Sequence, residues 1–229
     1  MRGRPILDVG VGAGRTASFL RLLSDDYVAV DYTPAMVEAF RRNHPDLEVH
    51  LGDARDLSRF ASGRFGLAVF SFNGIDAVSH DDRARVLAEL HRVLAPGGWL
   101  VCSTHNLEGP GARERPWRAK RAGGQVWWRA LRWTVRLPQR LPGTWRSWRN
   151  WWGNRSLEEQ GEGWAMRRAG AHEFGVVLHY ATADAVRREV CDAGFDEPVL
   201  LAREDGRELD GRASLTEVQW FQVVARKPA

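Results

Sequence analysis

Residues 6–14 read Ile-Leu-Asp-Val-Gly-Val-Gly-Ala-Gly, a short apolar run that predicts a buried strand and then breaks into glycines at every second position. Glycine accepts the positive φ of a tight turn and lets a ligand approach the backbone closely. A helix is expected directly afterwards, over Thr16 to Leu23. Its first N–H groups have no partner within the helix and are open to a ligand. Strand, glycine loop and helix together start a βα crossover, and the chain that follows contains more of them.

Tyr27 to Val30 predicts a second strand ending at Asp31. Thr33-Pro34 is a helix start, with Thr33 as N-cap and Pro34 at the first helical position. Met36, Val37 and Phe40 share one face of that helix, which stops before His44-Pro45. Leu47 to Leu51 and Leu67 to Phe72 predict strands three and four, the latter followed by Asn73-Gly74. Val86, Leu87, Leu90, Val93 and Leu94 have the spacing of a helix lying on a sheet, and Asp81-Asp82 suits its N-terminus better than it suits a divalent metal. Pro96-Gly97-Gly98 ends that helix, and Trp99 to Thr104 is strand five. Further on, Val176 to Tyr180 is extended and Thr182 caps a helix that ends at Gly194. Val199–Ala202 and Val218–Ala225 lie too close together for a helical crossover and predict an antiparallel pair.

The 229 residues include 44% hydrophobic and 27% charged side chains, which excludes a disordered chain. No apolar run approaches the length of a spanning helix. Two cysteines, Cys102 and Cys191, exclude a disulfide scaffold and offer no zinc spacing, so no metal site is expected and a reducing cytoplasm fits. The net charge of +4 is unevenly spread. Between Arg113 and Arg155 stand 12 basic residues, one acidic residue (Glu114) and eight of the 11 tryptophans. A basic, Trp-rich insert at 107–172 therefore interrupts an acidic body formed by 1–106 and 173–229.

Four loops fall at the carboxyl ends of neighbouring strands, where open α/β sheets bind ligands. They are the glycine loop, Asp31, Gly52-Asp53-Ala54 and Ser71-Phe72-Asn73. A carboxylate at Asp31 can accept both hydroxyls of a ribose, and one at Asp53 can accept from an adenine amine. Asp8-Val-Gly-Val-Gly-Ala-Gly14, Val30-Asp-Tyr-Thr-Pro-Ala-Met36, Gly52-Asp-Ala54 and Leu94-Ala-Pro-Gly-Gly98 occur in that order. Together they resemble the class I S-adenosylmethionine-dependent methyltransferases, as do Ala193-Gly-Phe195 and Val223-Val-Ala-Arg226 near the end.

The resemblance implies a Rossmann-like α/β fold with a seven-stranded mixed sheet in the order 3-2-1-4-5-7-6 and helices on both faces. It implies S-adenosylmethionine as methyl donor and S-adenosylhomocysteine as product. The glycine loop (Asp8, Gly10, Gly12, Gly14) would hold the methionine moiety, Asp31 the ribose, and Asp53 and Ala54 the adenine. Tyr32 and Met36 would pack nearby, and Ser71 and Asn73 would close the cofactor site. The acceptor would be a small molecule methylated on N or O. His105, on the functional edge of the sheet, is the leading catalytic candidate and Tyr180 the second. Asn73, His105, Asn106, His179, Tyr180 and Trp127 are the expected acceptor contacts.

The family usually begins with helices that help to close the cofactor site, whereas strand one here lies within a few residues of Met1, so the insert is the available cover. Val126 to Leu137 forms a wheel with Arg129, Arg132 and Arg136 on one side and apolar residues, Trp127 and Leu131 among them, on the other. The insert is thus expected to fold as helices over the sheet's carboxyl edge, with Trp as walls and Arg suited to an anionic acceptor. The alternative is a cofactor-binding module, or an enzyme docking on RNA or an anionic membrane through the same basic face.

Overall fold

The computed structural model describes residues 2–116, 145–202, 205–209 and 215–229. Its centre is a parallel sheet of β1 (Ile6–Val9), β2 (Tyr27–Asp31), β3 (Glu48–Leu51), β4 (Phe65–Phe70) and β5 (Leu94–Asn106), in the spatial order β3-β2-β1-β4-β5. β1, β2 and β4 are buried along their whole length, which is why they read as continuous apolar runs with no alternation. β10 (Trp220–Arg226) runs antiparallel beside β5, and β9 (Val199–Ala202) antiparallel beside β10. These seven strands have the expected order, with β10 in the seventh place and β9 in the sixth.

Helices cover both faces. α2 (Pro34–Asn43) packs Val37 and Phe40 against Ile6, Tyr27, Ala29 and Leu67. On the opposite face α3 (His80–Val93) and α5 (Ala183–Asp192) bury Val86, Leu87, Leu90, Val186 and Val190 against Leu7, Val28, Ala68 and Leu100. Thr33 and Pro34 stand at the N-cap and first position of α2 as expected, and Thr182 Oγ1 accepts from Ala185 N at the start of α5. α1 (Ala17–Leu20) is shorter than the eight residues read from sequence. Only Ala17 in it is buried and Phe19 is exposed, so no burial supports further turns.

The insert departs most from expectation. Residues 145–153 are helical (α4) and bury Trp151, whose ring meets Phe174 edge-on at 5.1 Å and carries the Arg168 guanidinium 3.5 Å above it. Beyond α4 the chain does not continue as helix. β6 (Glu159–Gly161) and β7 (Trp164–Arg168) form a hairpin, β7 pairs with β8 (Val177–Ala181), and β8 runs parallel to the end of β5 through His105↔Tyr180 and Asn106↔Ala181. The insert is helical at α4 as expected, and it also supplies the β6–β7 hairpin, so the sheet grows to ten strands. The cause is geometric: β4 ends opposite Cys102, and β8 takes the edge that β5 exposes beyond it. The amphipathic stretch with Trp127 and Leu131 lies outside the described residues. Among the described residues no helix is long and apolar enough to cross a membrane.

Candidate active site

Gly10, Gly12 and Gly14 all have positive φ, so the glycine loop is a sequence of left-handed turns. Gly14 is the most constrained, since a Cβ there would run into the His44 ring. Asp31, 6% exposed at the end of β2, ties this loop to α2: its Oδ2 accepts from Gly12 N and its Oδ1 from Thr33 N, both at 2.8 Å. Asp8 lies beneath the loop and is fully buried. Its Oδ2 accepts from Thr16 Oγ1 (2.6 Å) and Tyr27 OH (2.8 Å), while Oδ1 has no partner. Burial pushes the Asp8 carboxyl up to about 6, against the pull of these two donors.

Over the loop is a cavity of about 370 Å³. Gly10, Asp31, Tyr32 and Met36 line one side, Gly52, Asp53 and Ala54 the far end, and Phe70 and Gly74 the floor near β4. Arg55 had no role in the sequence reading. It grips the Asp53 carboxylate with Nε and Nη2 and reaches Asp82 with Nη1 at 2.8 Å, holding both carboxyls below their ordinary range. Gly12, Gly14, Asp8 and Ser71 do not line this space. Gly12 and Gly14 shape the backbone around it, and Ser71 is half-buried at the end of β4.

A second chamber, of about 470 Å³, opens beside the first and shares Tyr32, Gly74 and Ala77 with it. Asn73, His105 and Tyr180 line this chamber together, though they come from three separate parts of the chain. Phe72 and Asn73 are both left-handed non-glycine residues, a costly conformation that over-determined sites retain. It is held by a 2.7 Å bond from Asn73 N to Ser103 Oγ. His105 rests between the rings of Tyr180 (centroids 4.8 Å) and Trp220 (6.0 Å).

Sequence reading missed Asp76, the residue that orients His105. Asp76 is fully buried, accepts from the His105 backbone N (2.8 Å) and stands 2.7 Å from His105 Nδ1, both through Oδ2. Its Oδ1 accepts from Thr104 Oγ1 (2.6 Å) and Arg83 Nη1 (2.7 Å). A carboxylate with these partners has only acceptor capacity, so His105 donates to it through Nδ1, while its Nε2 stands 3.2 Å from Asn73 Nδ2. Arg83 is itself shared with Glu189, 2.9 Å from Nη2. The only local hint of this arrangement is an acidic residue within the otherwise apolar run Gly74-Ile-Asp-Ala-Val78 after strand four.

Two expected acceptor contacts do not reach the chamber. Asn106 is fully buried, with Nδ2 donating to Leu215 O and Val218 O and Oδ1 accepting from Glu108 N, so it fastens the segment before β10. His179 alternates with Tyr180 along β8 and therefore faces the other side of the sheet. There it meets His80 (Nδ1 to Nε2 3.1 Å), with Trp164 stacked on His80. Ligating atoms of His80, His179 and Glu189 lie within 4.8 Å of one another, but the other Glu189 oxygen already serves Arg83. Burial, with Arg83 and His80 adding to it, drives His179 down to about 2, so it stays neutral. Tyr180 does line the chamber, but burial, then the Asp76 and Glu114 charges, raise its phenol well above the ordinary value, so it acts as a hydroxyl and not as a base. Trp127 is outside the described residues.

Residues 6–98 match a family model described as a methyltransferase domain. A demethylmenaquinone methyltransferase of Renibacterium salmoninarum is 36% identical over 110 residues, covering 47% of this chain and 45% of that protein. A ribosomal protein L11 methyltransferase of Sorangium cellulosum is 34% identical over a stretch of the same length, covering 32% of its own length. The matched stretch thus spans less than half of these curated relatives. Among solved structures, an S-adenosylmethionine-dependent methyltransferase from Mesorhizobium loti has a TM-score of 0.63 at 20% identity, covering 99% of this chain and 92% of its own. A Burkholderia thailandensis 1,6-didemethyltoxoflavin N1-methyltransferase, solved with that acceptor and S-adenosylhomocysteine, has a TM-score of 0.56 at 14% identity, covering all of this chain and 72% of its own.

Proposed function

We propose that this chain, whose residues 6–98 match the methyltransferase-domain family and whose fold is that of the class I S-adenosylmethionine-dependent enzymes, methylates a nitrogen or oxygen of a small molecule. The observation that carries this reading is the pair of joined cavities, one over the glycine loop and one at His105. S-adenosylmethionine supplies a methyl carbon already activated by its sulfonium. The acidic first cavity suits that cation. The left-handed backbone at Gly10, which lines that cavity, leaves room for its methionine end, with Asp8 buried beneath the loop as its support. Asp31 keeps lone pairs for the ribose hydroxyls, and Asp53 with Ala54 borders the adenine, flanked by Tyr32 and Met36.

In the second chamber His105 Nε2 takes the proton that the acceptor loses, and Asp76 holds the resulting charge on the imidazole. The chamber walls orient the acceptor and exclude water. Gly111, Glu114 and residues 169–172 in the wall support a lid role for 107–172 over the body of 1–106 and 173–229. Two free thiols, one of them the exposed Cys191, support a reducing cytoplasmic setting.

Isothermal titration with S-adenosylhomocysteine is the direct test, and a folded protein that does not bind it rules the reading out. A second reading, docking on an anionic membrane, is favoured by exposed Trp145 and Trp152 on one face of α4 beside Arg149. Liposome sedimentation across a salt series separates the two, because only docking gives salt-sensitive vesicle binding.

A further inference from the structure

We infer that the acceptor chamber contains a subsite for a protonated amine, built on Glu114 and the aromatic walls around it. The inference rests on the methyltransferase reading only in taking this chamber as the acceptor's. The arginine-rich insert suggested an anionic acceptor, yet no described residue lining the chamber is arginine or lysine. The only lining side chain with a full formal charge is Glu114, which is half-buried and forms no ion pair among the described residues. Taking a carboxylate out of water is costly unless a cation or donors meet it. The buried and half-buried carboxylates nearby have such partners: Asp76 has Arg83, Glu189 has Arg83, and Glu158 has Arg168. Gly170 leaves the room for it, since a Cβ there would fall on Glu114 Oε2.

Asn73 adds a neutral acceptor beside this charge. Asn73 is 7% exposed, and its Oδ1, an acceptor only, has no donor. Phe72, Tyr180 and Trp220 are among the walls, and aromatic rings attract cations and not carboxylates; the Phe72 ring already carries the Arg15 guanidinium 4.3 Å from its centroid. A chamber whose one formal charge is negative and whose walls include aromatic rings is complementary to a molecule that brings positive charge, namely an aromatic or alkyl amine with a hydroxyl or amino group to be methylated.

Matched probes that differ only in the sign of their charge test this. The protein, saturated with S-adenosylhomocysteine, is titrated with a panel of phenols bearing either an ammonium or a carboxylate, led by tyramine and 4-hydroxyphenylacetate. The ammonium members are expected to bind at least tenfold more tightly. Glu114→Gln, nearly the same shape, is expected to erase that preference while leaving S-adenosylhomocysteine affinity unchanged. The inference is overturned if carboxylates bind as well as ammonium members, if no amine binds, or if the preference survives in Glu114→Gln. Failure of the wild-type protein to bind S-adenosylhomocysteine is a separate result that removes the methyltransferase reading; cofactor binding without amine preference removes only the subsite.

Discussion

Replacing Asp31 with alanine should weaken S-adenosylhomocysteine binding by about 1.5–3 kcal/mol, roughly tenfold to a hundredfold in Kd. Two effects combine. The first is direct: ribose hydroxyls lose a charged acceptor. The second is structural. Asp31 Oδ2 and Oδ1 each hold one backbone N–H, from Gly12 and Thr33, so the substitution frees the glycine loop from the start of α2. Bonds to a charged partner contribute about 1.5–3 kcal/mol each. Thr33 borders a cavity that water can fill and Gly12 is only part-buried, so the low end, about 3 kcal/mol for the pair, is the expected loss of stability. Asp31→Asn is the sharper variant, because an amide has one oxygen. Whichever way it turns, its NH2 faces either Gly12 N–H or Thr33 N–H, and it should lose cofactor affinity while changing the shape of the site very little. Titration calorimetry on both variants, with circular dichroism to confirm folding, is the assay. Folded Asp31→Ala or Asp31→Asn protein with wild-type affinity would show that the ribose is held elsewhere.

Asp8 makes stability pH-dependent. Its folded value of about 6 lies above the ordinary 3.8, so its favourable contribution is complete below 3.8 and lost as pH rises through 6, about 3 kcal/mol in all. Tm should therefore fall between pH 5 and pH 8, and Asp8→Asn, which cannot ionise, should flatten that fall. In 15N NMR the His105 ring should show a protonated Nδ1 and a bare Nε2; Asp76→Asn should disturb that pattern and destabilise the fold by about 3–5 kcal/mol, since it breaks a buried ion pair. An unchanged His105 spectrum in Asp76→Asn would dissociate the two residues. Gly14→Ala combines a φ of +94° with a Cβ placed on the His44 ring, and chemical denaturation should show a loss of at least about 1–2 kcal/mol.

The parallel core of the sheet was legible because its determinants are local. Apolar runs such as Ile6–Val9, the glycines after them and the caps at Thr33 and Thr182 depend on neighbours a few residues away. The cofactor end followed from the same signals, since strand ends in such a sheet share one edge, and Asp31, Tyr32, Met36, Asp53 and Ala54 do border one cavity. What tertiary structure alone decided is which way each side chain faces once a strand ends, and what lies opposite. Along β5 and β8 successive residues alternate faces, so His105 and Tyr180 meet in the chamber while their neighbours Asn106 and His179 do not. Sequence places all four at the same edge but does not determine that alternation, because it depends on where pairing with β10 and β8 begins. The Asp76–His105 pair spans 29 residues and the Arg83–Glu189 pair 106. A contact of that separation leaves no periodic trace, because it is made by folding two distant segments onto one sheet and not by any pattern within either.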